Sequence, residues 1–251
     1  LLNKNGAVVD GSSIVSADYD GTICIWDITP CRKFKKPFIK QIARLKTHGD
    51  SEIISLLYNE FNQMIYSGDN SGDIKVWTAP KLEPVYTIRN AHSAGITCLT
   101  LDVNFLFSGS EDKSIKVWNT RNNSLIKTLN SVHTNYITAI TMLVKDNLLV
   151  STGRDGRIVL WNYTKATVVK EYKYNYEFTS ILHSEYTKDI FAGTSTGVIV
   201  MISLKTAKEL ENERVMLSKS IKNTKRKGGL KAASDAKKLM HEFHRQQTFS
   251  F

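Results

Sequence analysis

The sequence predicts an all-β fold of repeated four-stranded antiparallel units, followed by a basic α-helical C-terminal tail. Three observations point there. All four tryptophans fall at one position of an internal repeat, at Trp26, Trp77, Trp118 and Trp161, spaced by 51, 41 and 43 residues. The segments around them are short apolar runs punctuated by small and acidic turn residues, the pattern of strands rather than helices. Charge is also segregated. Residues 204–251 carry nine Lys and three Arg against five acids, whereas the preceding 203 residues are close to neutral within a formal +10 for the chain.

Five stretches align without gaps: SADYDGTICIWD from Ser16, SGDNSGDIKVWT from Ser67, SGSEDKSIKVWN from Ser108, STGRDGRIVLWN from Ser151 and AGTSTGVIVMIS from Ala192. The fifth carries Ile202 where the others carry tryptophan. Each stretch opens at the end of an apolar run (Ile14-Val15, Met64 to Tyr66, Leu106-Phe107, Leu148 to Val150), crosses a turn and resumes as an alternating strand such as Ile115 to Trp118. Asp20-Gly21 and Asp155-Gly156 mark hairpins, because glycine accepts the positive φ that a two-residue turn requires. An apolar strand precedes each pair, over Ile53 to Tyr58, Ile96 to Leu101, Ile137 to Leu143 and Phe178 to Leu182. A fourth follows, as in Val85 to Ile88 and Leu125 to Leu129. Four antiparallel strands in about 40–45 residues, repeated, is the signature of β-propeller blades.

These residues resemble the WD-repeat β-propeller family over about residues 1–203. The naming dipeptide stands at Trp26-Asp27 and appears as Trp118-Asn119 and Trp161-Asn162. The family's histidine before the first strand matches His48, His92 and His133, and its second-strand serine matches Ser16, Ser67, Ser108 and Ser151. Its turn aspartate matches Asp20, Asp112 and Asp155. Such a set can form a buried relay in which carboxylate, imidazole, hydroxyl and indole satisfy one another and pin the hairpin. Complete sets are His92, Ser108, Asp112, Trp118 and His133, Ser151, Asp155, Trp161, with Ser16, Asp20 and Trp26 forming a partial one. The second repeat has Ser71 where the acid belongs and the fifth lacks His, Asp and Trp, so both blades are expected to be looser.

Ser, His and Asp together could suggest a nucleophilic enzyme, but a catalytic centre is needed once, and this set recurs. No G-x-S-x-G elbow, phosphate-binding G-x-x-x-x-G-K-[ST] loop or H-E-x-x-H helix is present, and the histidines lack metal-ligand spacing. The expectation is a non-enzymatic protein with no cofactor and no metal. Composition agrees with a globular chain: 41% hydrophobic and 23% charged residues, with no apolar run long enough for a transmembrane helix. Three cysteines without a C-x-x-C pair favour a reducing intracellular setting, cytoplasmic or nuclear.

The resemblance implies a ring that usually closes with seven blades, whereas five repeats are visible, the first keeping only Ala7-Val8-Val9 of its leading strand and the fifth showing no outer strand. An open stack would expose apolar blade faces, so upstream sequence, or a partner or second copy, is expected to supply the missing blades. The chain opens on Leu1 with no methionine before Met64, which fits a part of a longer product. Between Trp26 and Trp77 the repeat is lengthened by a segment with seven basic residues and no acid from Thr29 to Lys46. It is read as an outer strand or a solvated loop, with contact to an anionic partner as the bolder alternative. The tail, read as a second unit over 204–251, holds strong helix formers from Lys208. After Gly228-Gly229, Leu239, Met240 and Phe243 are placed on one helical face as candidate docking residues.

Function is read as a protein–protein interaction scaffold or adaptor within a larger assembly. The family presents loops of one disc face to partners. On the matched positions that face would carry Tyr19, Asn70, Glu111, Arg154 and Ser195 before the turn acid, and Glu52, Tyr136 and Glu177 entering the first strand. Aromatics and carboxylates lead the set, which suits a basic or aromatic-bearing peptide. Two alternatives stand beside it. One is a ribonucleoprotein assembly factor in which the basic tail binds RNA or an acidic surface. The other is the C-terminal propeller of a larger multidomain protein whose catalytic part lies upstream.

Overall fold

The computed structural model describes residues 6–9 (backbone), 13–28 and 39–204. Their strands pair into five antiparallel sheets in strict sequence order. The first sheet holds β1 (Gly6–Val9), β2 (Ser13–Ala17), β3 (Thr22–Asp27) and β4 (Lys40–Lys46). The second holds β5 (Ile53–Asn59), β6 (Met64–Asp69), β7 (Ile74–Thr78) and β8 (Pro84–Ile88). The third holds β9 (Ile96–Asp102), β10 (Phe105–Ser110), β11 (Ile115–Asn119) and β12 (Leu125–Leu129). The fourth holds β13 (Ile137–Leu143), β14 (Leu148–Gly153), β15 (Arg157–Asn162) and β16 (Thr167–Lys173). The fifth has three strands among the described residues: β17 (Phe178–Ser184), β18 (Asp189–Thr194) and β19 (Ile199–Ser203).

The lengthened segment after Trp26 resolves at its end into β4, the outer strand paired to β3 with Ile23 opposite Leu45. Lys40, Arg44 and Lys46 therefore lie on the free edge of a sheet, where charge discourages pairing with another chain. Residues 29–38, and the tail with Leu239, Met240 and Phe243, lie outside the described residues.

Alternation in each strand serves two neighbours at once. Consecutive sheets pack face to face, β1 on β5, β5 on β9, β9 on β13 and β13 on β17, so the leading strands line a common hub. Among the described residues no comparable packing joins β17 back to β1, and the blades form an open arc. The apolar core is accordingly divided between blades. Val15, Ile23 and Ile25 of the first meet Ile53, Ile65 and Trp77 of the second. Tyr66, Ile74 and Val76 then meet Ile96, Leu106 and Trp118 of the third. Phe107, Ile115 and Val117 meet Ile137, Leu149 and Trp161 of the fourth. Trp77, Trp118 and Trp161 thus each lie on the blade before their own. At about 1.5–3 kcal/mol per fully buried large apolar side chain, these clusters supply most of the cohesion between sheets.

Polar stitches supplement them. Ser55 Oγ donates to the Ile96 carbonyl at 3.1 Å and Thr97 Oγ1 to the Ile137 carbonyl at 2.6 Å, each reaching the next leading strand. The Tyr163 hydroxyl donates to Asp102 across blades three and four at 3.0 Å. Burial, then that carboxylate, push the phenol up to about 12, so it stays a donor at any ordinary pH.

The hairpins differ from the expected two-residue turns. Asp18 to Gly21 is a four-residue connection closed by Asp18 N–H to the Thr22 carbonyl at 3.0 Å, and Arg154 to Gly156 is a three-residue one. Both glycines do adopt positive φ, 77° at Gly21 and 74° at Gly156. A second reason for glycine appears at Gly156: a β-carbon there would lie 2.1 Å from the Tyr174 carbonyl oxygen, where the outer loop crosses the hairpin.

Candidate functional site

The relay residues converge because the histidine enters from the loop before the leading strand, while serine and tryptophan face each other across strands two and three. In the third blade Trp118 Nε1 donates to Ser108 Oγ at 2.9 Å, and that hydroxyl lies 2.7 Å from His92 Nε2. His92 Nδ1 lies 2.8 Å from Asp112 Oδ2. An ionised Asp112 can only accept, so the proton sits on Nδ1 and Nε2 accepts the serine O–H. Asp112 also takes the Ser114 hydroxyl at 2.6 Å. The fourth blade repeats the chain: Trp161 to Ser151 at 2.8 Å, Ser151 to His133 at 2.8 Å and His133 to Asp155 at 3.1 Å.

The second blade overturns the expectation that it is looser for want of an acid. Asp69, the last residue of β6, does the work assigned to position 71. It lies 2.8 Å from His48 Nδ1, and His48 Nε2 lies 2.7 Å from Ser67, which accepts from Trp77 at 3.0 Å. Ser71 instead donates to Asp69 at 2.8 Å. Aspartate and serine have exchanged places across the turn relative to Ser110 and Asp112, and the histidine reaches the carboxylate in either arrangement.

The first blade keeps only Trp26 donating to Ser16 at 2.8 Å. Asp20, read from sequence as a relay member, is exposed and accepts the Thr22 N–H at 2.9 Å instead. The nearby His48 turns its ring to Asp69 and Ser67 instead.

Sequence reasoning also missed a repeated clamp. Lys75 Nζ donates to the Thr47 carbonyl at 2.9 Å, Lys116 Nζ to the Ala91 carbonyl and Arg157 Nη1 to the Val132 carbonyl at 2.8 Å. In each case the acceptor belongs to the residue immediately before the relay histidine, so a cation on the third strand fixes the loop that delivers the ring. Lys75 and Lys116 share a repeat position; Arg157 reaches the same target from two residues earlier in its repeat. The signal was an alternating lysine beside the tryptophan, which also fits a solvated strand face.

Burial pushes the carboxyl pKa of Asp69, Asp112 and Asp155 up, but hydrogen bonds from the histidines and neighbouring turn groups more than offset it. All three carboxyls end below the ordinary value of 3.8. A depressed carboxyl contributes stability that is present above the unfolded value and lost as pH falls through the folded one. The urea midpoint followed by circular dichroism should therefore decline steadily as pH falls below about pH 4. A midpoint unchanged down to about pH 2.5 would contradict the relay's ionisation state.

Above the relays, the candidate face residues are brought together pair by pair. The Asn70 N–H donates to the Glu52 carbonyl at 2.9 Å, Glu111 to Gly95 at 3.0 Å, Arg154 to Tyr136 at 2.9 Å and Ser195 to Glu177 at 2.9 Å. Asn70 Nδ2 further donates to the Glu52 carboxylate at 3.3 Å, and the Arg154 guanidinium lies 5.6 Å from the Tyr136 ring centroid. Tyr19 is 62% exposed, Glu111 is half-buried, and the others are exposed. Among the described residues no group of three or more His, Cys, Asp or Glu is placed to hold a metal ion. No helix there is long and apolar enough to cross a membrane.

The repeat identified by this geometry matches the WD domain, G-beta repeat (WD40) at residues 8–27, 39–78, 82–119 and 123–162, more than half of the chain. The chain belongs to the WD40 family. Its solved likenesses are propellers in the same sense. A structure of U3-55K has 22% identity and a TM-score of 0.69, with 81% of this chain and 61% of that one covered. The WD40 repeats of RRP9 have 23% identity and a TM-score of 0.69, covering 81% and 60%. The WD40 β-propeller domain of Doa1 has 19% identity and a TM-score of 0.65, covering 80% and 64%. The WD40 chain thus spans less than two thirds of each, and likeness at these identities speaks to fold alone. No curated protein matches its sequence.

Proposed function

We propose that this WD40 chain is a non-catalytic interaction scaffold that reads a partner peptide on the rim carrying Tyr19, Asn70, Glu111, Arg154 and Ser195 with Glu52, Tyr136 and Glu177. The observation that carries the reading is the repeated tie between the two loops of each blade, from second to fifth, by the same backbone hydrogen bond. It gives the rim side chains a fixed spacing around one face, and in the second, third and fourth blades the relay and clamp beneath hold the loops before any partner arrives. Preorganisation of that kind lowers the ordering cost of binding. A non-catalytic role is supported by the serines themselves. Ser67, Ser108 and Ser151 are fully buried, and each hydroxyl is held between an indole and an imidazole rather than presented to substrate.

Glu52, Glu111 and Glu177 give the rim three carboxylates, of which Glu52 is engaged by Asn70. They suit a peptide with basic or aromatic side chains. Reversing all three to lysine should weaken capture of the native partner by roughly tenfold or more while the thermal midpoint stays put. Recovery equal to the unaltered protein would refute this rim as the site. The tail read as an RNA or acidic-surface contact lies outside the described residues.

A further inference from the structure

Every sheet has two ends, and the loop rim occupies one of them. At the other end a turn joins the first strand of each blade to its second. In the second to fifth sheets these turns are residues 60–63, 103–104, 144–147 and 185–188. Each carries a large apolar side chain that stands in solvent. Phe61 is 85%, Val103 72%, Val144 53% and Tyr186 97% exposed. Tyr186 and Phe61 are the two most exposed large apolar side chains among the described residues.

The turns do not need them. The Phe61 N–H donates to Asn59 Oδ1 at 3.0 Å, the Val103 N–H to Asp102 Oδ1 at 2.7 Å and the Thr187 N–H to Ser184 Oγ at 3.2 Å. Polar flanking residues close the backbone, so a polar side chain at the tip would serve the fold equally well. Four apolar tips on successive blades therefore point to an interaction surface. The tips are neighbours in space: Lys145 Nζ of the fourth sheet lies 3.4 Å from the Glu185 carboxylate of the fifth.

Charge decides what the surface fits. The four turns hold Glu60, Asp146 and Glu185 against Lys145 and Lys188. With no net positive charge they offer no grip to an anionic lipid surface or a nucleic-acid backbone. Near balance, they do not repel a copy of themselves. We infer that this end of the sheets is the interface of a two-fold symmetric dimer formed with a second copy of the chain. The axis lies in the face and passes between the third and fourth sheets. It sets Phe61 against Tyr186 of the second copy and Val103 against Val144, each contact being made twice. The same operation brings Glu60, beside Phe61, to Lys188, two residues from Tyr186. Aromatic meets aromatic, valine meets valine and acid meets base. Aromatic side chains bury roughly 150–250 Å² each, and with the valines two copies would cover roughly 1,000 Å², the lower limit of a specific interface. The dimer is accordingly weak and reversible. The inference is independent of the loop-rim reading, which concerns the opposite end of the sheets.

Sedimentation velocity of the full chain over roughly 1–100 μM, the range of a weak interface, tests it. The average mass should climb from monomer toward dimer. Glu60→Lys and Lys188→Glu should each weaken association about tenfold, because each reversal acts on two symmetry-related pairs. Together in one chain they recreate the pairing, and affinity should return to within about threefold of the unaltered protein. Phe61→Ser should abolish the dimer and leave the thermal midpoint unchanged. Ile199→Asp, on the fifth sheet and 72% exposed, should leave the dimer intact. A chain that is monomeric throughout, or a double reversal no tighter than either single one, would overturn the inference. So would self-association lost in Ile199→Asp and kept in Phe61→Ser. Sedimentation of a monomeric chain with phosphatidylserine vesicles, lost in Phe61→Ser, would assign the face to lipid and overturn it equally.

Discussion

Trp118→Ala should lower the unfolding free energy by about 3–5 kcal/mol, and Trp26→Ala by markedly less. Trp118 is 5% exposed, lies on Tyr66, Ile74 and Val76 of the preceding blade, and donates to a serine engaged by His92. Its loss opens a cavity between two sheets and removes the indole donor from the buried Ser108 hydroxyl. Trp26 is half-buried, and its serine bonds no histidine among the described residues. Urea titrations of the two variants at equal slope would measure the contrast. Equal losses would mean that the indoles contribute only their own local contacts, independent of the neighbouring blade and of the relay.

The second large effect is expected at Asp69. Asp69→Ser should cost about 2–3 kcal/mol, because the His48 ring N–H is left buried without its acceptor. Asp69 also accepts the Asp73 N–H at 2.8 Å, so the turn loosens with it. The double exchange, Asp69→Ser with Ser71→Asp, recreates the Ser110 and Asp112 arrangement of the third blade and should recover at least half of the loss. Ser71→Asp alone should gain nothing, since it sets a second carboxylate beside the first. Failure of the double exchange to recover stability would show that the two placements are not equivalent.

That exchange marks where the sequence stopped being legible. The repeat, the strand order and the tryptophan register could be read because they are periodic, and periodicity survives substitution at any single position. The acid of the second blade could not, because gapless alignment assigns a role to a column, whereas the imidazole responds only to a carboxylate within reach. Residues two apart across a tight turn lie close enough to trade that duty. The lysine clamps were hidden for a related reason. Lys116 in Ile115 to Trp118 has the alternation of a solvent-facing residue, and only its loop partner, 25 positions away, distinguishes a bound ammonium from a free one. Asp20 shows the opposite failure: the right residue in the right column, without the ring it would need.

Each relay closes within one sheet, while each apolar cluster straddles two. Shape at the loops and cohesion of the stack therefore meet at the indoles of Trp77, Trp118 and Trp161, while the rim side chains stand outside both, much as the teeth of a gear can be recut without loosening the hub. Substitutions on the rim can retune what is recognised one blade at a time, and the cost of an unsuccessful change stays confined to the sheet that carries it.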